Sequence, residues 1–175
     1  MAQKGLILLY TGNGKGKTTA AMGLAFRAMG CGMKTYIGQF MKGQKYSELN
    51  AARMVPDYIS IEQYGKDTFV HVKNPPDSEN AAMAKAGYDK IKEALFSGNY
   101  DIIIADEIIT LHFFNLISIE ELLELVEKKP DGIELVLTGR YAPKEIIEAA
   151  DLVSEMKEVK HYYRANVLAR EGIEC

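Results

Sequence analysis

Cysteine is scarce in this sequence: Cys31 and Cys175 are the only two. Neither sits in a CxxC or Cys/His arrangement with zinc spacing, so no zinc module is encoded. Two isolated thiols suit a reducing compartment better than a disulfide framework. Histidine is equally sparse. His71, His112 and His161 are scattered and form no metal set, and His112, behind an apolar helical stretch, reads as structural. No Ser/His/Asp or Cys/His nucleophile pattern occurs, so a group transfer would draw its attacking atom from a second substrate. Long apolar runs are missing as well. The run Leu6-Ile7-Leu8-Leu9-Tyr10 is too short for a signal or membrane segment. Nothing approaches the ~20 apolar residues of a membrane span. Charge of one sign is not in excess either: the formal net charge is -3, and nothing demands a nucleic-acid-binding face. The expectation is a cytoplasmic protein that binds neither membrane nor nucleic acid.

What remains is an ordinary globular chain. Its 175 residues, 47% hydrophobic and 26% charged, can bury a core without disulfides or structural metal. With no linker, repeat or low-complexity tract, residues 1–175 read as one domain. Short apolar runs alternate with helical patterns. Strands are expected at 6–10, 35–40, 58–64, 101–105, 133–137 and, more polar, 152–159. Helices are expected at 18–29, with Gly30 and Gly32 past its end, at 47–54, stopped by Pro56, and at 79–96, 119–128 and 143–150. Residues 65–78, with Asn74-Pro75-Pro76-Asp77, are a loop, and the tail 160–175 has no assignment. This alternation implies an α/β fold with an open, mainly parallel sheet and helices on both faces. Ligands of such sheets bind at the carboxyl ends of the strands.

The first strand runs straight into Thr11-Gly12-Asn13-Gly14-Lys15-Gly16-Lys17-Thr18-Thr19, which opens the first helix. Strand, glycine-rich loop, Gly-Lys-Thr and helix together mark a phosphate loop rather than a bare glycine turn. The glycines let several N–H groups point inward at a helix N-terminus, a nest for phosphate oxygens. Lys17 adds a charge between phosphates, and the Thr18 hydroxyl can ligate Mg²⁺. The usual pattern begins with Gly; here Thr11 stands first and Gly12 follows. The lysines near this loop are explained by a triphosphate.

Asp106-Glu107 ends the apolar strand 101–105. A carboxylate delivered to that edge is the usual partner of a phosphate loop, holding a metal directly or through water. The other acid positions water or joins the metal; the bland alternative is a helix N-cap. Thr138-Gly139-Arg140 places an arginine on the same rim, either on phosphate or in a supporting salt bridge. Gln39-Phe40-Met41-Lys42-Gly43 brings Lys42 there, as an anion contact or as a solvated lysine.

The run from Tyr10 to Ala21 resembles the phosphate loop of the ATP:corrinoid adenosyltransferases, which also begins Thr-Gly-Asn-Gly. Gln39-Phe40-x-Lys42-Gly43, Asp106-Glu107, Thr138-Gly139-Arg140, Ala150-Asp151-Leu-Val-Ser-Glu155, Val159-Lys160-His161 and Gly172-Ile173-Glu174 resemble family segments in the same order, over nearly the whole chain. The resemblance implies a three-layer P-loop NTPase (RecA-like) fold. It implies transfer of the adenosyl group of ATP to cobalt(I) of a corrinoid such as cobalamin, with triphosphate leaving, rather than hydrolysis. It further implies Mg²⁺ or Mn²⁺, a homodimer, and an electron-donor flavoprotein as partner. Two features depart from the family. Its members often carry a segment ahead of the first strand, which here begins within a few residues of Met1. The sequence also has no tryptophan. Where well-known members have Phe and Trp two residues apart against the corrinoid, Thr68-Phe69-Val70-His71 has Phe69 and His71. The expected site is therefore Gly12, Asn13, Gly14, Lys15, Gly16, Lys17, Thr18, Thr19, Lys42 and Arg140 for ATP. Thr18, Asp106 and Glu107 are expected on the metal, and Phe69 and His71 on the corrinoid. Lys17 and Phe69 act in the reaction. A P-loop ATPase or kinase with another acceptor and a nucleotide-dependent regulatory module are the competing readings.

Overall fold

Runs such as Ile-Ile-Ile-Ala and Leu-Val-Leu have no polar face to offer water, so they are stable only as strands covered on both sides. The computed structural model, which describes residues 4–66 and 78–174, places them there. β1 (Ile7–Thr11), β2 (Thr35–Phe40), β4 (Ile102–Asp106) and β5 (Glu134–Thr138) are almost wholly buried. β3 (Ile59–Tyr64) and β6 (Leu152–Glu155) are half-exposed and form the edges. The order is β3-β2-β4-β5-β1-β6, and every pairing is parallel.

Alternate residues of each strand feed two separate cores. Leu8, Ile37, Ile102, Ile104 and Val136 pack under α1 (Lys17–Met29), which meets them with Ala21, Ala25 and Ala28. Small side chains let that helix lie close to the sheet. Ile7, Leu9, Ile103, Leu135 and Leu137 face the opposite side, toward α3 (Ser78–Phe96), α5 (Ile119–Lys128) and α6 (Lys144–Ala149). Each fully buried Ile or Leu contributes about 1.5–3 kcal/mol. α2 (Ser47–Met54) follows β2 on the α1 side, beside Ile59 and Ile61.

Most boundaries agree with the sequence-based expectation within a residue, and 35–40, 47–54 and 119–128 coincide with it. Three regions differ. The strand expected at 152–159 ends at Glu155, because Met156 leaves the ladder to hold the glycine-rich loop: its N–H donates to Thr11 O and its carbonyl accepts from Gly14 N. A short helix not separately assigned, α4 (Ile108–Phe113), follows β4 directly, and His112 lies in its last turn with Nδ1 3.1 Å from the Ile117 carbonyl. The tail carries a 3-10 turn at Tyr162–Ala165. Phe69 and His71 lie outside the described residues.

The parallel order brings every functional motif to one rim. Along it lie the ends of β2 (Lys42), β4 (Asp106), β5 (Thr138, Arg140) and β1 (the loop). Register places Gln39 beside Asp106 and Tyr10 beside Thr138.

Candidate active site

After Thr11 the chain must turn without blocking its own N–H groups. Gly12 has φ 100° and Gly16 φ 120°, both left-handed and costly for other residues. A Cβ on Gly12 would also lie 2.5 Å from the Met156 carbonyl oxygen. The loop is thus clamped on one side by the chain beyond β6 and opens on the other. Lys17 begins α1 and curls back, its ammonium donating to Gly12 O at 2.8 Å and Gly14 O at 2.9 Å. Burial lowers its pKa, with Arg140 adding to that and Glu107 and Asp106 opposing it. A buried ammonium held only by neutral carbonyls is poised for an anion.

Asp106 is the best-connected acid of the rim. Its carboxylate accepts from Thr18 Oγ1 at 2.9 and 3.1 Å and from Thr138 Oγ1 at 2.7 Å. Lys42 Nζ donates to it at 2.8 Å, and Gln39 Nε2 lies at 3.4 Å. The Lys42 ammonium also sits 3.4 Å from Thr18 Oγ1 and 3.9 Å from Glu48 Oε1. Burial works against the charge on Lys42, but Asp106, Glu48 and Glu107 outweigh it and the pKa is raised. Glu107 adopts φ 65°. Its N–H donates to Thr138 Oγ1 at 2.8 Å, and its carboxylate accepts from Thr110 Oγ1 at 2.5 Å. Met41 (φ 54°) and Tyr141 (φ 61°) are left-handed too. Left-handed residues thus follow the ends of β2, β4 and β5, each costing roughly 1–2 kcal/mol.

These groups surround a cavity of about 500 Å³. Gly14, Lys15, Gly16, Lys17, Thr18, Thr19, Lys42, Glu107 and Arg140 line it. Gly12 shapes the loop without lining the cavity, Asn13 is exposed, and Asp106 lies buried beneath. The Arg140 side chain is exposed, and among the described residues it makes no salt bridge; its backbone N–H is anchored on Thr110 Oγ1 at 3.0 Å. The sequence reading missed part of the wall. His161, Tyr162, Gly172, Ile173 and Glu174 from the tail close one side. Lys15 Nζ donates to Glu174 at 2.7 Å, to Tyr162 Oη at 2.9 Å and to Ile173 O at 3.3 Å. Arg170 pairs with the same carboxylate at 3.0 Å, and these partners hold Glu174 well below the usual carboxylate range. Thr138, Gln39 and Glu48 were likewise missed as site residues. Thr138 and Gln39 belong to the rim motifs, and His161 and Gly172 to Glu174 to segments that resemble the family, without a role being assigned to them; Glu48 carries no local signal.

Among the described residues, no group of three or more His, Cys, Asp or Glu side chains converges on a metal position. The donors available are hard oxygens, from Thr18, which bonds Asp106, and from Glu107, which lines the cavity. They suit Mg²⁺ or Mn²⁺ with phosphate oxygens completing the shell.

A glycine-rich loop between a buried parallel strand and a helix, facing a buried carboxylate on the next-but-one strand, defines a P-loop nucleotide-binding domain. Solved structures share the fold. A KaiC-like protein from Pyrococcus horikoshii superposes with TM-score 0.54 at 17% identity, over 90% of this chain and 74% of that one. The cytoplasmic domain of EssC does so with TM-score 0.54 at 15% identity, over 95% and 34%. Within that class the chain belongs to the ATP:corrinoid adenosyltransferase (BtuR/CobO/CobP) family, which it matches over residues 3–175. It is 34% identical to the corrinoid adenosyltransferase of Escherichia coli K12, over 98% of this chain and 86% of the relative. With the Salmonella typhimurium corrinoid adenosyltransferase CobA it shares 31%, over 98% and 86%. A Sinorhizobium corrinoid adenosyltransferase shares 34%, over 98% and 81%.

Proposed function

We propose that this chain moves the 5′-deoxyadenosyl group of ATP to the cobalt of a reduced corrinoid, in the synthesis or salvage of adenosylcobalamin. The observation that carries this reading is the pairing of the phosphate loop with buried Asp106 on one rim, in a chain whose family is ATP:corrinoid adenosyltransferase. The substrate cobalt(I) supplies the electron pair. A cobalt–carbon bond forms at the ribose 5′-carbon as the carbon–oxygen bond breaks, and triphosphate leaves with the bonding pair.

No side chain need attack, so the protein's work is positioning and neutralising the leaving group. The N–H groups of Lys15 to Thr18 cradle phosphate oxygens, while that of Gly14 is spent on the Met156 carbonyl. Lys17 leaves the loop carbonyls for the triphosphate, and Arg140 reaches it from β5. Thr18 and Asp106, with Glu107, would hold Mg²⁺ or Mn²⁺, which supplies further neutralisation of the triphosphate. Phe69 presses on the corrinoid's lower face, expelling an axial ligand and easing reduction of cobalt(II), with His71 beside it. A large, stiff ring without donor atoms suits that task. The chain works in the cytoplasm as a homodimer, with a flavoprotein as electron donor. No helix among the described residues is long and apolar enough to cross a membrane.

Incubation with ATP, Mg²⁺ or Mn²⁺ and chemically reduced cobalamin, followed by absorbance, is expected to develop the cobalt–carbon chromophore. Failure with every corrinoid tried would overturn the proposal. Phe69→Ala is expected to slow the reaction strongly from cobalt(II), less from ready-made cobalt(I), with ATP binding kept.

A further inference from the structure

The rim holds its own cation. Lys42 Nζ lies 2.8 Å from Asp106 Oδ2 and 3.4 Å from Thr18 Oγ1, the two groups assigned above to the metal. The side chain is 16% exposed and Asp106 only 1%, so this is a nearly dry contact rather than a surface ion pair. Thr18 and Thr138 hydroxyls already donate to the remaining carboxylate positions. A divalent ion therefore meets a carboxylate whose accessible side is taken.

We infer that Lys42 is the resident counter-ion of the metal position, lying against the hydrogen-bonded pair Asp106 and Thr18 in the nucleotide-free protein and turning to the triphosphate when the metal–nucleotide complex enters. Electrostatics make the two occupants exclusive. A buried carboxylate that neutralises one ammonium cannot also neutralise a divalent ion, and two cations side by side in a poorly solvated place repel. A polyanion removes the conflict, since both can then pair with its oxygens. Lysine suits the exchange: it is a compact charge on a flexible stem, with no planar fork that fixes one geometry. Lys42 lines the same cavity as the phosphate loop, so the turn is local. Glu48 at 3.9 Å and the Tyr46 ring at 5.5 Å lie beside its path. Bare metal is excluded, and metal and triphosphate bind as a unit. Asp106 and Thr18 are also kept satisfied between turnovers.

This inference rests on the triphosphate-and-metal reading of the rim, and its test does not need the corrinoid. Mn²⁺ is titrated into nucleotide-free wild type, Lys42→Met, Lys42→Gln and Lys42→Arg, with bound ion read by electron paramagnetic resonance and folding checked by circular dichroism. Removing an occupant that keeps the site mostly closed raises apparent affinity by the reciprocal of the open fraction, here about tenfold or more in Lys42→Met. Lys42→Gln, which can still donate to Asp106, gains affinity too and keeps the test decisive should Lys42→Met misfold. Lys42→Arg retains the charge and binds Mn²⁺ as weakly as wild type. Adding Asp106→Asn to either neutral variant abolishes the gain. Equal Mn²⁺ affinity in wild type and the folded neutral variants overturns the inference, as does an equal gain in Lys42→Arg. Tripolyphosphate binding to wild type, measured alongside, tests the underlying reading separately: its absence strikes the nucleotide assignment, whereas the Mn²⁺ comparison strikes only the role of Lys42.

Discussion

Two acids stand on either side of the phosphate loop, each holding a lysine, and they are built differently. Asp106, at the end of a central strand, is buried and receives Thr18, Thr138 and Lys42. Glu174, in the tail, receives Lys15, Tyr162 and Arg170; its own side chain is 14% exposed, but the two cations that hold it are open to solvent, Lys15 at 38% and Arg170 at 53%. With Gln39 at 3.4 Å, Asp106 has four side-chain partners and Glu174 three, and their surroundings give them different weights. A desolvated pair is costly to break, because the survivor is left charged in a poor solvent. An exposed cluster is screened by salt and rearranges readily. The Asp106 side is thus a fixed part of the floor, and the Glu174 side a wall that can open.

The largest effect is expected at the floor. Asp106→Ala leaves Lys42 without its closest counter-charge, and is expected to lower unfolding stability by about 3 kcal/mol or more in urea titrations. A loss indistinguishable from wild type would mean that water already reaches the pair. Next in size is Lys17→Ala, which removes the charge proposed to meet the triphosphate. ATP binding should weaken well over tenfold, since losing a desolvated charge contact costs roughly 2–5 kcal/mol; unchanged calorimetric affinity would refute the phosphate-loop assignment. At the wall, Glu174→Gln should leave the thermal midpoint in place but speed tryptic cleavage after Arg164 and Arg170. Raising salt should bring wild type toward the variant, and a salt-independent cleavage rate would show the latch to be stronger than its exposure implies. The smallest expected effect concerns pH. Glu174 is depressed from its ordinary 4.5, so the tail's docking is fully present above that value. It is lost only as pH falls through the lower folded value. Cleavage by an acid-stable protease that already accelerates near pH 5 would contradict this.

The floor was far more legible in the sequence than the wall. Asp101 to Ala105 and Leu6 to Tyr10 announce buried strands by composition, and glycine spacing announces the loop. Parallel topology then forces their ends together, so Thr18 and Asp106 meet though 88 positions apart. The Lys42–Asp106 pair was half visible: both lay on the rim, but no periodicity says that an ammonium rests on a carboxylate 64 positions away. The wall had no such frame. Lys15 and Glu174 are separated by 159 residues and joined through irregular chain, where neither strand register nor helical spacing predicts a partner. β6 ends early for a related reason. Met156 is taken by the loop's hydrogen bonds, a tertiary demand that overrides the local strand pattern. Phe69 and His71 lie beyond the described residues, and their assignment rests on the family resemblance.

In the proposed reaction the triphosphate of ATP leaves whole while the ribose 5′-carbon is captured by a corrinoid. Phosphorus NMR of the wild-type reaction with ATP, Mg²⁺ and cobalt(I) cobalamin tests this most directly. One inorganic triphosphate is expected for each corrinoid alkylated, with no ADP. ADP and phosphate without alkylated corrinoid would contradict it and return the chain to the ATPases.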